Sequence, residues 1–377
     1  MRQEAPIPAE VLTAIQAPFA ASPAHDLDAP VLQPLGLLLD LAGETLRDRL
    51  FIVQASGGAE ACLRTDFTLA AVQAHIASGR ASGRYVYSGH AFRVAPRGVE
   101  RAEEFPEVGV EAFEPGDPAL ADAEMAALAW NAARAGGRDD LTLLMGDIGL
   151  FAAFVASLDL APPLAARLAR AFSSPRRLRA ELERNGETSP KGAGGGRLAT
   201  VLAGLSDADA TAVLQDIWSL AGIEPVGGRS AAEIVQRLAE RTALAEAPRL
   251  TRVQADLVAR FLAIADAPAA ALDAVLRLAG AASPALDEAR QAWSRRLEAL
   301  ARAGVPSDRL RFSAAFGRAF GYYDGALFEV RSASLGDDQP VAAGGRYDGL
   351  PARLGAELAT GAVGCMVRPG RAWAGAA

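Results

Sequence analysis

Alternating apolar and polar positions mark strands in the first part of the chain, up to about residue 149. Strand-like runs occur at residues 50–54, 84–92, 108–114 and 141–145. One helix there has clear boundaries, because Asp117 can cap it, Pro118 suits its first turn, and Gly136 and Gly137 can end it. The pattern therefore predicts strands connected by at least one well-defined helix.

Residues 150–305 have a different pattern, with apolar positions recurring at helical spacing. Ser230 and Glu233 form a capping box, and Gly280 and Gly304 are typical of helix ends. No residue in this zone carries obvious chemistry. We interpret it as a packed helical insertion.

Strand patterns return from residue 306 to the end, at 326–330, 340–344 and 362–367. A strand-rich region interrupted by helices and then resumed predicts an α+β fold. We expect one mixed, mainly antiparallel sheet flanked by helices. Its core would comprise residues 1–149 and 306–377, with residues 150–305 inserted.

Composition narrows the possible functions. The net charge of −7 argues against a nucleic-acid-binding surface, which needs clustered basic groups. Lys191 is the only lysine, so neither a Schiff-base lysine nor a phosphate-binding loop is expected. Two cysteines and three histidines without ligand spacing predict no metal site. No apolar run is long enough for a membrane span, and the first residues lack a signal-peptide pattern, so we expect a soluble cytoplasmic protein without a cofactor.

The segment from residue 85 to residue 113 contains the first candidate site. Alternation along its second strand puts Glu107, Gly109 and Glu111 on one face, with Arg93 leaving the first strand nearby. Paired carboxylates suit an ammonium or imidazole group, and an arginine suits phosphate or carboxylate. The alternative is an exposed hairpin with solvated charges.

Two further segments add polar groups. Asp66 and Thr68 lie between a strand and a helical run, where they can face a ligand or cap the helix. Residues 316–350 contain Arg318, Tyr322 and Tyr323, followed by a predicted tight turn at residues 344–349. Paired tyrosines are usually core residues. The density of Gly, Tyr, Arg and Asp nevertheless favours one wall of a small-molecule pocket.

The order of these motifs resembles the catalytic core of class II aminoacyl-tRNA synthetases, and specifically histidyl-tRNA synthetases. The resemblance rests on LRTDFT, GHAFR with EFPEVGVE, RAFGYYDGALFE and GGRYDGL, and covers the first and third zones. It implies a histidine-like pocket and a residual nucleotide or phosphate site. The pocket would comprise Asp66, Thr68, Glu107, Glu111, Arg318, Tyr322 and Tyr323, and the phosphate site Arg93, Arg101 and Arg371.

Departures from the synthetase pattern weaken the nucleotide site. Ala95 replaces an acidic residue, Glu107 a glutamine and Asp66 a glutamate. Arg-Pro-Gly-Arg at residues 368–371 replaces Gly-Leu-Glu-Arg, and Pro369 is expected to prevent a regular helix start. The chain ends six residues after Arg371, so we expect no anticodon-binding domain and no tRNA charging.

Such a shortened relative resembles the regulatory subunits of ATP phosphoribosyltransferase, which act in the first step of histidine biosynthesis. This resemblance implies a non-catalytic, synthetase-like homodimer that joins short catalytic subunits in a hetero-octamer. It also implies a role in full activity and in feedback inhibition by histidine, which would bind the residual pocket or elsewhere. The alternative is a residual histidine-activating or histidine-ligating enzyme.

Overall fold

The computed structural model describes residues 2–21, 23–42, 44–54, 60–172, 174–183, 201–202, 205–221, 231–232, 235–236, 248–280, 283–317, 321–357 and 360–376. Arg318, Lys191 and the predicted capping box at Ser230 and Glu233 lie outside the described residues. Within these ranges, no helix has both the length and the apolar surface needed to cross a lipid bilayer.

The helices are α1 (Ala9–Gln16), α2 (Leu35–Ala42), α3 (Thr68–Ser78), α4 (Pro118–Ala135), α5 (Ile148–Ala156), α6 (Pro162–Phe172), α7 (Pro175–Glu183), α8 (Asp207–Ala221), α9 (Arg252–Leu262), α10 (Pro268–Ala279), α11 (Pro284–Arg302), α12 (Gly349–Arg353) and α13 (Pro369–Ala372). Short 3₁₀ turns occur at Ala17–Ala21, Glu44–Arg49, Ser307–Arg309 and Ala374–Ala376.

The strands are β1 (His25–Asp26), β2 (Leu32–Pro34), β3 (Ile52–Gln54), β4 (Glu60–Leu63), β5 (Gly83–Phe92), β6 (Glu104–Phe113), β7 (Leu141–Asp147), β8 (Ala265–Asp266), β9 (Leu310–Ser313), β10 (Ala326–Ser332), β11 (Ala342–Arg346) and β12 (Ala362–Val367). Nine of these described strands form one sheet in the order β1-β5-β6-β12-β11-β10-β7-β9-β8, and β2-β4-β3 form a second.

The large sheet confirms the predicted mixed, mainly antiparallel arrangement. Only the β1–β5 and β7–β9 pairs among the described strands are parallel. Strands β5 and β6, from the first zone, pair directly with β12 from the third zone. The helical residues between these zones therefore separate the strands along the chain, but the strands still hydrogen-bond within one sheet.

Helix α4 covers one face of this sheet, and its predicted boundaries are confirmed. Asp117 accepts a hydrogen bond from the Ala119 N–H (2.9 Å), Pro118 is the first helical residue, and Gly137 adopts a φ of 95° just past the end. A left-handed backbone at that position favours glycine. The helix packs against β10, β11 and β12.

A buried charge cluster ties α4 to its neighbours. The Asp122 carboxylate, 2% exposed, accepts from Arg296 of α11 (2.7 Å) and from Arg346 of β11 (2.8 Å). Arg346 also donates to the Pro118 carbonyl (3.0 Å) and to Asp348 (2.9 Å). Two arginines sharing one buried carboxylate fix the distance between helix and sheet.

Two expectations about the third zone are wrong in detail. Residues 344–346 form the end of strand β11, which pairs with β12, and not a turn. A side chain at Gly344 would collide with the Gly364 carbonyl of β12 and with Phe328. Glycine here allows close strand packing. Pro369 does begin a short helix, since proline is tolerated in the first helical turn, where its missing N–H has no intrahelical partner.

The chain divides into two compact units. The first comprises residues 1–159, 172–174 and 258–377, so it includes α10 and α11, which the sequence pattern assigned to the insertion. The second comprises residues 160–171 and 175–257. Its described part is helical, with an apolar cluster around Leu202 and Leu214 and an ion pair between Arg167 and Glu181 (2.9 Å).

Candidate histidine-like pocket and arginine cluster

Most of the predicted pocket residues converge on one place in the first unit. The cavity lies where β5, β6, β11 and β12 meet the start of α3. It is lined by Asp66, Thr68, Tyr87, Arg93, Glu107, Glu111, Tyr322, Tyr323, Ala343, Gly344, Gly364, Cys365 and Met366. Residues far apart in sequence therefore line one cavity.

Glu111 is at the centre of the pocket's hydrogen-bond network. Its carboxylate accepts from the Thr68 hydroxyl (2.7 Å), from the Tyr347 hydroxyl and, at 3.4 Å, from Tyr87. Only 2% of the residue is exposed, and this burial raises the pKa of Glu111 to about 7 despite the three hydroxyl donors. The carboxyl group therefore titrates near neutral pH.

Asp66 provides a second buried carboxyl group. It accepts hydrogen bonds from the backbone N–H groups of Thr68 and Leu69. It lies one residue before Phe67, the N-cap position of α3, and it also lines the pocket. Burial raises the pKa of Asp66 to about 6, opposed by nearby Arg93 and reinforced by Glu107. Its Oδ2 atom is buried and has no hydrogen-bond partner among the described residues.

Glu107 is fully buried and pairs with Arg93 at 2.9 Å. Arg93 also donates to the Thr65 carbonyl (2.9 Å), so its guanidinium lies between strand β6 and the entry to α3. The sequence pattern predicts that Glu107 and Arg93 both lie near a ligand. In the structure, the two side chains are paired with each other.

The pocket is nearly filled by its own side chains. Its cavity volume is about 20 Å³, which is room for about one water molecule. Tyr322 and Tyr323 form one side of it, with ring centroids 4.7 Å apart. Three acidic groups face one arginine, so the surroundings favour a cationic group.

Two tyrosines that contact Glu111 were not predicted as site residues; Tyr87 lines the pocket, and Tyr347 bonds Glu111 from outside its lining. Tyr347 lies in the GGRYDGL motif and Tyr87 lies two residues after Tyr85 on the same face of β5. A signal for Tyr87 existed, since strand alternation brings it to the face that carries Glu111. No local signal indicated Tyr347, because its bond to Glu111 joins residues 236 positions apart.

The predicted phosphate-site arginines also lie in one region. Arg101 pairs with Asp338, and Arg371 donates to the Pro340 carbonyl at 3.0 Å. Burial is the largest cause that lowers the pKa of Arg371 to about 9, and repulsion from Arg368 is the next. Arg93 and Arg101 have smaller effects in the same direction. Arg93, Arg101 and Arg368 are thus close enough to Arg371 to affect its pKa.

Arg368, which is 3% exposed, was not predicted as a site residue. Its guanidinium lies 3.4 Å from the ring centroid of Phe105 and donates to Glu4 at 2.7 Å. A cation over an aromatic face is attracted by the ring's quadrupole. Arg368 thus occupies the apolar surface that Phe105 would otherwise offer.

Together, the split mixed sheet and the pocket at its centre define a protein of the histidyl-tRNA synthetase class. The histidyl-tRNA synthetase family model matches residues 25–193 and 207–368. A solved structure described as an ATP phosphoribosyltransferase regulatory subunit/histidyl-tRNA synthetase from Bacillus halodurans C superposes with a TM-score of 0.62 and 18% identity, covering 96% of this chain and 77% of that one. This similarity confirms the predicted fold.

Two curated relatives show which family within this class the chain belongs to. An ATP phosphoribosyltransferase regulatory subunit from Mesorhizobium japonicum is 36% identical over 358 residues, which is 93% of this chain and 92% of that protein. The Agrobacterium fabrum protein of the same name is 37% identical over 92% of this chain and 91% of its own length. The chain belongs to the family of ATP phosphoribosyltransferase regulatory subunits.

Proposed function

We propose that the chain is a non-catalytic subunit that a short catalytic ATP phosphoribosyltransferase subunit needs for full activity, and that it takes part in feedback inhibition by histidine. The observation that carries this proposal is the contrast between the two parts of the site. The pocket keeps acidic groups and tyrosines suited to an amino acid's cationic groups, whereas the arginines suited to phosphate are already paired.

The pairing of the arginines argues against adenylate chemistry. Stabilising a transferring phosphoryl group requires positive groups aimed at the charge that develops. Here Arg93 is held by Glu107, Arg101 by Asp338 and Arg371 by a backbone carbonyl. Each interaction would have to break before the arginine could bind a nucleotide.

Histidine is a suitable ligand for the acidic pocket. Its ammonium and imidazole groups are hydrogen-bond donors, and Asp66 and Glu111 are buried acceptors. Asp66 Oδ2 and Glu107 Oε2 have no partner in the described part of the chain, so a donor would satisfy them. Because the cavity holds only about 20 Å³, binding would require Tyr322 and Tyr323 to move aside.

Self-association is supported by the small sheet. Leu32 and Val53, 54% and 36% exposed, lie on the same face of this sheet, because they pair with Leu63 and Ala61, which are two residues apart on β4. Apolar side chains grouped on a sheet are typical of protein interfaces. We assign this surface to a synthetase-like homodimer that assembles with the catalytic subunits into a cytoplasmic hetero-octamer.

The decisive experiment is reconstitution. Phosphoribosyl transfer by the short catalytic subunit is measured alone and with this chain, and we expect higher activity and histidine inhibition in the mixture. Glu111→Gln and Tyr323→Phe should weaken inhibition, while Glu288→Gln, at an exposed position on α11, should not. Unchanged activity on mixing would refute the regulatory role, and unchanged inhibition in both pocket variants would place the histidine site elsewhere.

A residual histidine-activating enzyme is the second candidate, because Arg93, Arg101 and Arg371 are all present and lie together. Histidine-dependent exchange of pyrophosphate into ATP tests it directly. We expect no exchange above the rate without histidine, and measurable exchange by the isolated chain would favour the enzyme.

A further inference from the structure

A cavity outside the acidic pocket lies at the end of α4, and we call it the α4 cavity. Its volume is about 420 Å³, which is in the range of small-molecule sites. Three segments line it, namely α4, the stretch that leads into β7, and the turn before β9, through Trp130, Arg134, Gly137, Arg138, Asp139, Leu141, Pro306 and Arg309. None of these residues lines the acidic pocket or belongs to the predicted phosphate site. The α4 cavity is therefore a separate candidate site.

The fold brings two cationic side chains to this cavity from distant parts of the sequence. Arg134 lies four residues after Trp130 on α4, so both occupy one face of the helix. Strands β7 and β9 pair in parallel, with Leu143 opposite Leu310. Arg309, the residue before Leu310, consequently lies beside the start of β7 and close to the end of α4.

Two guanidinium groups in the α4 cavity are not used by the described part of the protein. Arg134 is exposed and Arg309 is half-buried, and neither guanidinium group has a hydrogen bond or an ion pair with the described residues. Arg138 differs, because it donates to the Ser334 hydroxyl (2.9 Å) and to the Arg371 carbonyl and so forms part of the wall. A cation in the last turn of a helix, such as Arg134, is favourable without any ligand. Arg309, which follows a single 3₁₀ turn, is therefore the more informative of the two.

Trp130 adds a further donor to the α4 cavity. Its side chain is 3% exposed, and its indole N–H is buried without a hydrogen-bond partner among the described residues. Leaving a buried donor unpaired is unfavourable, so an acceptor in the cavity would stabilise it. Two carbonyl groups at the end of α4 are already bonded, since Arg134 accepts from the Gly137 N–H and Gly136 accepts from the Ala374 N–H, both at 2.9 Å. The cavity therefore offers donors to an anion.

Asp139 determines which kind of anion fits, because it is exposed and lines the same cavity. Like charges repel, so Asp139 disfavours a phosphate dianion, whereas it can accept a hydrogen bond from an ammonium group. Guanidinium groups bind carboxylates through paired hydrogen bonds. We propose that the α4 cavity binds an α-amino acid, whose carboxylate accepts from the two arginines and the indole and whose ammonium group donates to Asp139.

The test uses glycine as the probe, because glycine consists of little more than the two groups that the α4 cavity recognises. Binding to the full-length chain is followed by the indole resonance of Trp130 in proton–nitrogen NMR spectra, assigned by its loss in Trp130→Phe. We expect this resonance to shift with glycine in the millimolar range, as suits a ligand of few atoms, and to shift less with acetate or methylamine at the same concentration. No shift with glycine, or an equal shift with acetate, methylamine or inorganic phosphate, would overturn the proposal.

A second measurement tests the residues of the site. Arg309→Gln removes one guanidinium group, and we expect the dissociation constant of glycine to rise about tenfold, from the loss of one charge-assisted hydrogen bond. Arg290→Gln, an equal charge change at an exposed position of α11 outside the cavity, is the matched control and should bind glycine like the parent. Equal affinity in the parent and Arg309→Gln, or an equal loss in Arg290→Gln, would refute the site. Neither measurement includes a catalytic subunit, so failure here leaves the regulatory role standing, and the reverse holds as well.

Discussion

Glu111 makes stability depend on pH in a direction opposite to that of most surface carboxylates. Burial raises its pKa from 4.5 to about 7 in the folded chain. Below pH 4.5 the group is protonated in both the folded and unfolded states, so its contribution to the unfolding free energy does not change. Between pH 4.5 and 7 the unfolded chain releases the proton first. Unfolding therefore becomes easier as pH rises.

The magnitude follows from the size of the shift. A rise from 4.5 to about 7 corresponds to about 3 kcal/mol of stability lost between these pH values. Asp66, whose pKa rises to about 6, contributes in the same direction and interacts with Glu111. Glu111→Gln removes only the Glu111 part, because an amide does not titrate.

The assay is urea unfolding of the parent and of Glu111→Gln at pH 4.5 and pH 8, followed by circular dichroism. We expect the stability of the variant relative to the parent to rise by about 3 kcal/mol between these pH values. Glu288→Gln, at an exposed position, should show no such pH-dependent difference. An equal difference between parent and Glu111→Gln at both pH values would refute the argument that burial controls this carboxyl group.

Three further substitutions test the packing around the site, each by urea unfolding. Gly344→Ala should lower the free energy of unfolding by about 1–3 kcal/mol, because the added methyl group meets the neighbouring strand β12. Gly36→Ala should not lower it, because the space around Gly36 is open. Equal losses in the two variants would contradict the argument that β11 and β12 pack too closely for a side chain. Asp122→Asn should cost about 3 kcal/mol, the low end for breaking a buried ion pair, because it removes the carboxylate that Arg296 and Arg346 share while leaving Asp147 near Arg296 and Asp348 near Arg346; a loss below about 1 kcal/mol would show that these two remaining carboxylates are sufficient. Asp117→Ala should cost about 1 kcal/mol through loss of the α4 cap, and an unchanged midpoint would show that Pro118 alone sets the helix start.

The sequence predicts the elements that follow from local chemistry. Helix α4 begins and ends where its capping residues indicate. Strand alternation puts Glu107 and Glu111 on one face, and both line the pocket. These predictions succeed because a cap or an alternating strand depends on residues close in sequence. The expectation that the three pocket segments lie together came instead from the resemblance to a known family, in which these motifs occur in the same order.

Contacts between distant segments could not be predicted. The sequence pattern predicts a tight turn that includes Arg346, yet this residue lies in β11 and bonds Asp122 of α4. Glu4 meets Arg368 across 364 positions, and no periodicity in either segment indicates that contact. Such pairs are fixed by sheet register, which depends on how β6, β12 and β11 assemble.

The two halves of the site differ in what balances their charge. In the arginine cluster, Glu107, Asp338 and Glu4 are internal anions that pair with Arg93, Arg101 and Arg368 respectively. In the pocket, hydroxyl donors from Thr68 and Tyr347 only partly satisfy the acids, since Glu111 still has a raised pKa. A cation entering the pocket would relieve that cost, whereas an anion entering the cluster must first displace an internal one. The same substitution, glutamate in place of the synthetase glutamine at residue 107, acts on both sides, because it adds negative charge to the pocket while holding Arg93.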